Sequence, residues 1–237
     1  MGIRLSPHRC APILLAVGLL FALGAPAPAQ PVDITAPGNP IVGVAATVGS
    51  NTSLLATVGT VPNTNNYPAG EPPASAIDNI TGGIPNQGNK YLNFLETGAG
   101  FIVTPTTNSI VAGLHFFTGN DAPERDPLTV TLEGSTDANA TTTLNSTWVL
   151  LYSGPSGLAT DPGRNASGPN VFFANTQSLR SYRLLVSTVR NAATANSFQF
   201  QEIELLSPIP EPSSVALCGV ALAAFGTMWR RRRAAAG

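Results

Sequence analysis

Short β-forming runs separated by turn clusters predict an all-β domain in the middle of this 237-residue chain, set between two apolar termini. From Tyr91 onward such runs recur at 90–95, 100–103, 109–118, 128–135, 147–152, 171–174, 181–188 and 198–206. Leu128-Thr129-Val130-Thr131-Leu132 alternates apolar and polar residues, the period-two pattern of a strand with one buried and one solvated face. Tyr182-Arg183-Leu184-Leu185-Val186 is more continuously apolar, as a strand deeper in the fold would be. Outside the termini no stretch sustains helical periodicity with caps, so the strands point to a sandwich or barrel.

The chain opens with the three parts of an export signal. Arg4, His8 and Arg9 form a positive start, residues 13–23 an apolar core too short for a comfortable membrane span, and Ala27-Pro28-Ala29 a small-x-small cleavage pattern. The signal peptide is therefore expected over 1–29 and the mature chain from Gln30, a retained anchor being the alternative. Cys10 precedes the apolar core, which argues against lipoprotein attachment. Residues 30–66 are rich in Gly, Pro, Ala, Thr and Asn and read as an irregular lead-in with one or two early strands. Within it Ala46-Thr47-Val48-Gly49 is echoed by Ala56-Thr57-Val58-Gly59, which fits either a hairpin turning at 50–53 or a low-complexity spacer.

Removing the termini changes the charge argument. Lys90 and five arginines face twelve acidic residues over 30–207, a net charge of −6. An acidic domain without a Lys/Arg cluster is a poor nucleic-acid binder. Both cysteines, Cys10 and Cys218, lie in the terminal segments, so neither disulfides nor thiolate metal sites staple the middle. It must hold itself together by its core.

The C-terminus has a rigid acidic elbow, Pro210-Glu211-Pro212, then an uncharged run of 17 residues over 213–229, then Arg230, Arg231, Arg232 and Arg233. Seventeen is at the short end of what spans a bilayer helically. The arginines are expected to stay cytoplasmic, leaving the rest of the chain outside. The order of these three parts resembles the PEP-CTERM sorting signal of Gram-negative bacteria, with an ordinary C-terminal anchor as the plainer alternative. The resemblance implies that residues 208–237 are an address read by an exosortase, that the precursor sits in the inner membrane, and that the processed chain reaches the cell surface or extracellular matrix.

A second resemblance rests on three segments taken in order. Ala76-Ile77-Asp78-Asn79 with Thr81 leads to Lys90-Tyr91-Leu92-Asn93-Phe94; residues 118–127 run into Thr131-Leu132-Glu133-Gly134-Ser135-Thr136-Asp137 and on to Trp148; and Phe198-Gln199-Phe200-Gln201-Glu202-Ile203-Glu204-Leu205 closes the domain. Together they resemble the discoidin, or coagulation-factor C-type, galactose-binding-like family, which implies a jelly-roll β-sandwich over 67–207. Asn79 stands where that family usually has Gly, Tyr91 where it has Trp, and residues 82–89 are an insertion.

The same resemblance implies a structural Ca²⁺ held by Asp78, Thr81 and Glu202, oxygen donors that suit a hard cation. The plainer alternative makes Asp78 a turn cap and Glu202 a solvated strand residue. Arg125, before the strand-initiating Pro127, is either a ligand-contacting residue at the rim or one arm of a clasp with Glu124, Asp126 or Asp137. Sugar recognition needs exposed aromatic faces; Tyr67, Tyr91, Trp148 and Tyr152 are the candidates. Of these Tyr67 is expected to be the most exposed, and Trp148 is read as core. His115 is the one histidine of the middle segment and reads as a satisfied strand residue. No G-x-S-x-G elbow or phosphate loop occurs, while a pair of converging carboxylates stays open.

These readings point to a non-enzymatic exported protein whose sandwich binds glycan or exopolysaccharide. Its other partners are an exosortase-type enzyme, the secretion machinery and, before processing, the membrane. The alternatives are a self-associating matrix protein or a secreted hydrolase.

Overall fold

Eleven strands and two short 3₁₀ turns make up the regular structure of the described residues. The computed structural model describes residues 30–45, 54–55, 67–82, 89–143, 146–209 and 222. The expected signal peptide, sorting elbow, apolar span (Leu222 apart) and arginine block lie outside these residues. Among the described residues no helix is long and apolar enough to cross a membrane.

The strands are β1 (Ile41–Ala45), β2 (Leu54–Leu55), β3 (Tyr91–Asn93), β4 (Ala99–Val103), β5 (Gly113–Phe117), β6 (Pro127–Ser135), β7 (Val149–Pro155), β8 (Val171–Phe172), β9 (Ser181–Val189), β10 (Phe198–Phe200) and β11 (Glu202–Leu206). All pair antiparallel, in a six-stranded sheet β2-β1-β4-β9-β6-β7, a three-stranded sheet β11-β5-β8 and a pair β10-β3. The two smaller sheets share one closing strand that breaks at Gln201. It pairs first with β3 (Phe200 opposite Tyr91) and then with β5 (Glu202 opposite Phe117). The Gln201 N–H donates to Phe117 O at 2.9 Å across the break, so the ladder continues.

Period-two patterning then builds a two-layer core. Phe101 and Val103 of β4, Val130 and Leu132 of β6, and Tyr182, Leu184 and Val186 of β9 meet Leu114, Phe116, Phe198, Phe200, Ile203 and Leu205. The expected all-β sandwich is thus what the chain forms. The near-continuous apolarity of 182–186 has a physical reason. Leu185 faces away from this core into a second cluster with Val44, Ile102, Ala140 and Trp148, so β9 is covered on both sides. Arg183 shares that outer face without exposure, paired with Glu133 (Nη2 to Oε2, 2.7 Å) beneath the Trp148 ring at 4.6 Å.

The lead-in is part of the sandwich. β1 inserts between β2 and β4, and the Ile34 N–H donates to Leu205 O at 2.9 Å. Pro31–Pro208 accordingly form one compact unit. β1 and β2 are a hairpin, but the repeated tetrapeptides fall outside the described residues.

Gly100 lets β4 and β9 approach. A Cβ there would lie 1.8 Å from Leu184 O, a backbone atom that cannot rotate away. Gly100→Ala is expected to cost about 3 kcal/mol by forcing the strands apart. Gly70→Ala, in open space, is expected to be near neutral. Urea denaturation of both variants measures the contrast.

Candidate functional site

The closing strand carries polar side chains outward at four positions, Gln199, Gln201, Glu202 and Glu204, while Phe198, Phe200, Ile203 and Leu205 face the core. Two consecutive polar residues, Gln201 and Glu202, break the alternation where the strand changes partner. Gln199, Gln201 and Glu202 are nonetheless buried, because two loops fold over them.

The first loop is 77–82. The Asn79 N–H donates to Glu202 Oε2 at 3.0 Å and the Gly82 N–H to Gln201 Oε1 at 3.3 Å. Asn79 adopts φ +60°, the left-handed conformation that Asn tolerates better than most residues, so it serves where the resembled family uses Gly. Asp78 Oδ1 accepts the Ile80 N–H at 3.0 Å, an Asx turn. Thr81 is exposed. Glu202 is fully buried, contrary to the alternative of a solvated residue, and its Oε1 has no hydrogen-bond partner. Burial, joined by the charge of Asp78, pushes the Glu202 carboxyl up to about 9. A buried carboxylate beside a second one, with an orphaned oxygen, is an arrangement a bound cation would relieve.

The second loop is 119–126. Gln199 Nε2 donates to Asp121 Oδ1 at 2.8 Å, and Lys90 Nζ reaches Asp121 Oδ1 at 2.6 Å, Asn120 Oδ1 at 2.9 Å and Glu71 Oε1 at 3.6 Å. Burial works to raise the Asp121 carboxyl, but hydrogen bonds from Lys90 and Gln199 outweigh it and hold the group below its ordinary range. Glu71 is raised, by burial above all. Arg125 joins this cluster through one long contact, Nη1 to Gln199 Oε1 at 3.4 Å, and its buried Nε has no partner.

The clasp expected at Arg125 forms with different arginines. Asp126, without exposure, is held bidentately by Arg164 (Nη1 to Oδ1, 2.8 Å; Nη2 to Oδ2, 2.6 Å) and again by Arg190 (Nη2 to Oδ2, 3.2 Å). Arg164 also pairs with Asp161 at 2.7 Å. Arg125 is thereby left out of the clasp beside its own sequence neighbour. Asp137 instead caps a turn, accepting from Asn139, Thr143 and Ser146.

The expected aromatic platform needs correction. Tyr67 and Tyr91 are 1% and 0% exposed, packed edge to face with ring centroids 6.1 Å apart, with Tyr91 against Phe198 and Phe200 and its hydroxyl donating to Gly100 O at 2.8 Å. Tyr67 belongs to a loop, but its ring fills the space above Gly43, where a Cβ would meet it at 2.9 Å. Neither ring offers a face to a sugar. Trp148 covers Arg183, and Tyr152 is stacked on Phe173 at 4.8 Å. His115 is satisfied on both nitrogens, by Glu204 Oε2 at 2.8 Å and Gly168 O at 3.0 Å. Among the described residues no three His, Cys, Asp or Glu side chains group as a metal cluster. Lys90, Gln199, Arg164 and Arg190 escaped the sequence reading. The Gln201-Glu202 doublet was the one visible signal that the closing strand turns polar groups toward loops.

Comparison with known proteins gives two findings. Residues 208–233 match the PEP-CTERM protein-sorting motif. Solved structures similar to this chain include chitosan-binding module 1 of a chitosanase/glucanase from Paenibacillus sp. IK-5 (11% identity, 73% of this chain and 97% of that one, TM-score 0.44). Another is the family 32 carbohydrate-binding module from Streptococcus pneumoniae EndoD (12% identity, 73% and 98%, TM-score 0.44). A third is the family 32 module of C. perfringens NanJ in complex with galactose (11% identity, 60% and 89%, TM-score 0.41). No curated protein matches the chain.

Asp126→Ala removes the anion that two guanidiniums share and is expected to destabilise the domain by about 3–5 kcal/mol. Asp161→Ala, an exposed partner, is expected to cost under about 1 kcal/mol. Chemical denaturation of the two variants at neutral pH checks the difference.

Proposed function

We propose that the mature domain is a non-catalytic glycan-binding module, exported, processed at its PEP-CTERM tail by an exosortase-type enzyme, and active at the cell surface or in the extracellular matrix. The observation that carries the binding reading is the state of Arg125. It sits on a loop held rigid by the Asp126 clasp, is part-exposed, spends its guanidinium on one long bond to Gln199 Oε1 at 3.4 Å, and neighbours the half-exposed Asp121 carboxylate. A forked donor beside a carboxylate acceptor suits the vicinal hydroxyls of a pyranose. Two features favour an uncharged polymer: Lys90 and Arg125 are balanced by Glu71 and Asp121, and the domain carries −6 overall. Binding at one such site is weak and gains from many copies at a surface.

Ca²⁺ belongs to the same proposal. Asp78 and Glu202 would hold it, with the Thr81 hydroxyl as a further hard donor. The ion's role is to neutralise the two carboxylates and fix the 77–82 loop against the closing strand. The orphaned Glu202 Oε1 supports the fit.

A second reading, self-association, has one observation in its favour. β7 is an edge strand, and its Val149 and Leu150 are both exposed. Sedimentation of the domain decides it: the glycan-binding reading expects a monomer, and a concentration-dependent oligomer lost in Leu150→Lys supports self-association.

Glycan-array binding by residues 31–208 tests the main reading. Arg125→Ala is expected to weaken binding about tenfold, the worth of one charge-assisted hydrogen-bond donor. An array with no binding to any neutral glycan contradicts the proposal. Calcium has a separate test with a defined sign. Glu202 is raised from 4.5 to about 9 on folding, so without metal its contribution to stability falls as pH rises from about 4.5 through 9. Added Ca²⁺ displaces that proton and is expected to raise the Tm more at pH 8 than at pH 5.5. Glu202→Gln is expected to remove both the pH slope and the Ca²⁺ response.

A further inference from the structure

Lys90 is almost completely withdrawn from water, its side chain 4% exposed, at the threshold of β3. Its Nζ touches the Asn120 side-chain amide at 2.9 Å and the Asp121 carboxylate at 2.6 Å, with the Glu71 carboxyl at 3.6 Å. A buried amine in contact with an amide and flanked by two carboxyls has the parts of an acyl transfer. Burial raises the Glu71 carboxyl, and hydrogen bonds from Lys90 and Gln199 hold Asp121 below its ordinary range. Both lie beside Nζ, Asp121 in direct contact and Glu71 at 3.6 Å, so both are placed to exchange a proton with the reacting groups.

We propose that Lys90 and Asn120 join in a spontaneous isopeptide bond. Asp121 takes a proton from the Lys90 ammonium and leaves a free amine. The Nζ lone pair attacks Asn120 Cγ, forming the new C–N bond, while Glu71 gives its proton to the amide oxygen. That oxygen returns the proton to Glu71 as the carbonyl re-forms. The C–Nδ2 bond breaks, and Nδ2 takes up one of the two protons left on Nζ and departs as ammonia, the other proton staying as the new amide N–H. The proton on Asp121 passes to that ammonia. One amine and one primary amide become one secondary amide and one ammonium ion. No electron changes hands and no cofactor is required.

The position gives the bond a purpose in this domain. Residues 30–207 contain no cysteine, so no disulfide holds the loop that bears Asp121, Arg125 and Asp126. A Lys90–Asn120 amide ties that loop to the start of β3 across thirty residues of chain and constrains the unfolded state as a disulfide does.

Peptide mapping by mass spectrometry of the full chain purified from its expression host decides the matter. The expected result is a branched peptide joining Lys90 to Asn120, lighter by one ammonia than its two arms. It is expected to vanish in Asn120→Ala and to be largely lost in Glu71→Gln, while Arg125→Ala retains it. Linear wild-type peptides with Lys90 and Asn120 unmodified would overturn the proposal, whatever the variants do. A branch that has lost water, joined instead through Asp121, would also overturn it.

Discussion

The change of partner at Gln201 is the constraint on which the rest of this structure depends. A strand that kept strict alternation from Phe198 to Leu206 would send Glu202 or Ile203 to the wrong side of the sheet. The extra outward residue restores register, so that Phe198 and Phe200 and then Ile203 and Leu205 all enter the core. It also gathers Gln199, Gln201 and Glu202 on one outer strip, where they become the floor for loops 77–82 and 119–126. Packing inside and polar chemistry outside are thus set by the same irregularity.

Five charged side chains of the described residues are buried, Lys90, Asp126, Glu133, Arg183 and Glu202, and four of the five are answered by an opposite charge. Asp126 has two guanidiniums, Glu133 has Arg183, and Lys90 has Asp121 and Glu71. Breaking such pairs from one side leaves an uncompensated charge, which makes them rigid anchors for loops whatever their net worth. Among the charged side chains of the described residues, Glu96, Arg125, Arg180 and Glu202 depart from this pattern, each with a buried polar atom that has no partner. Of these, Glu202 lies on the closing strand and Arg125 in the 119–126 loop that folds over it.

The sandwich was legible in the sequence because period-two alternation marks the residues that face the core, as Val130 and Leu132 do, although the other face of that strand, with Thr131 and Glu133, is buried rather than solvated. The doubly covered β9 was legible as an unbroken apolar run, although nothing in it announced that Arg183 would be buried too. The lead-in was legible as far as its early strands, which are β1 and β2, but no local pattern connected Ile41–Ala45 to β4, the pairing that places it in the main sheet. The aromatic readings failed for a related reason. Tyr67 lies in a Pro- and Asn-rich loop, a composition that signals exposure of the backbone and says nothing about a ring folded back over Gly43. Asp126 was visible as half of a clasp, but its partners Arg164 and Arg190 come from distant segments that no local pattern connects.

The chain joins a folded β-sandwich, proposed above to bind glycan, to a tail whose sorting motif occupies residues 208–233. Fractionation of the native host, with intact mass measurement of the chain in each fraction, tests that joining most directly. The account predicts a species beginning near Gln30 and ending near Pro210, recovered with surface or matrix polysaccharide. A species still carrying Arg230 to Arg233 and confined to the inner membrane would contradict it.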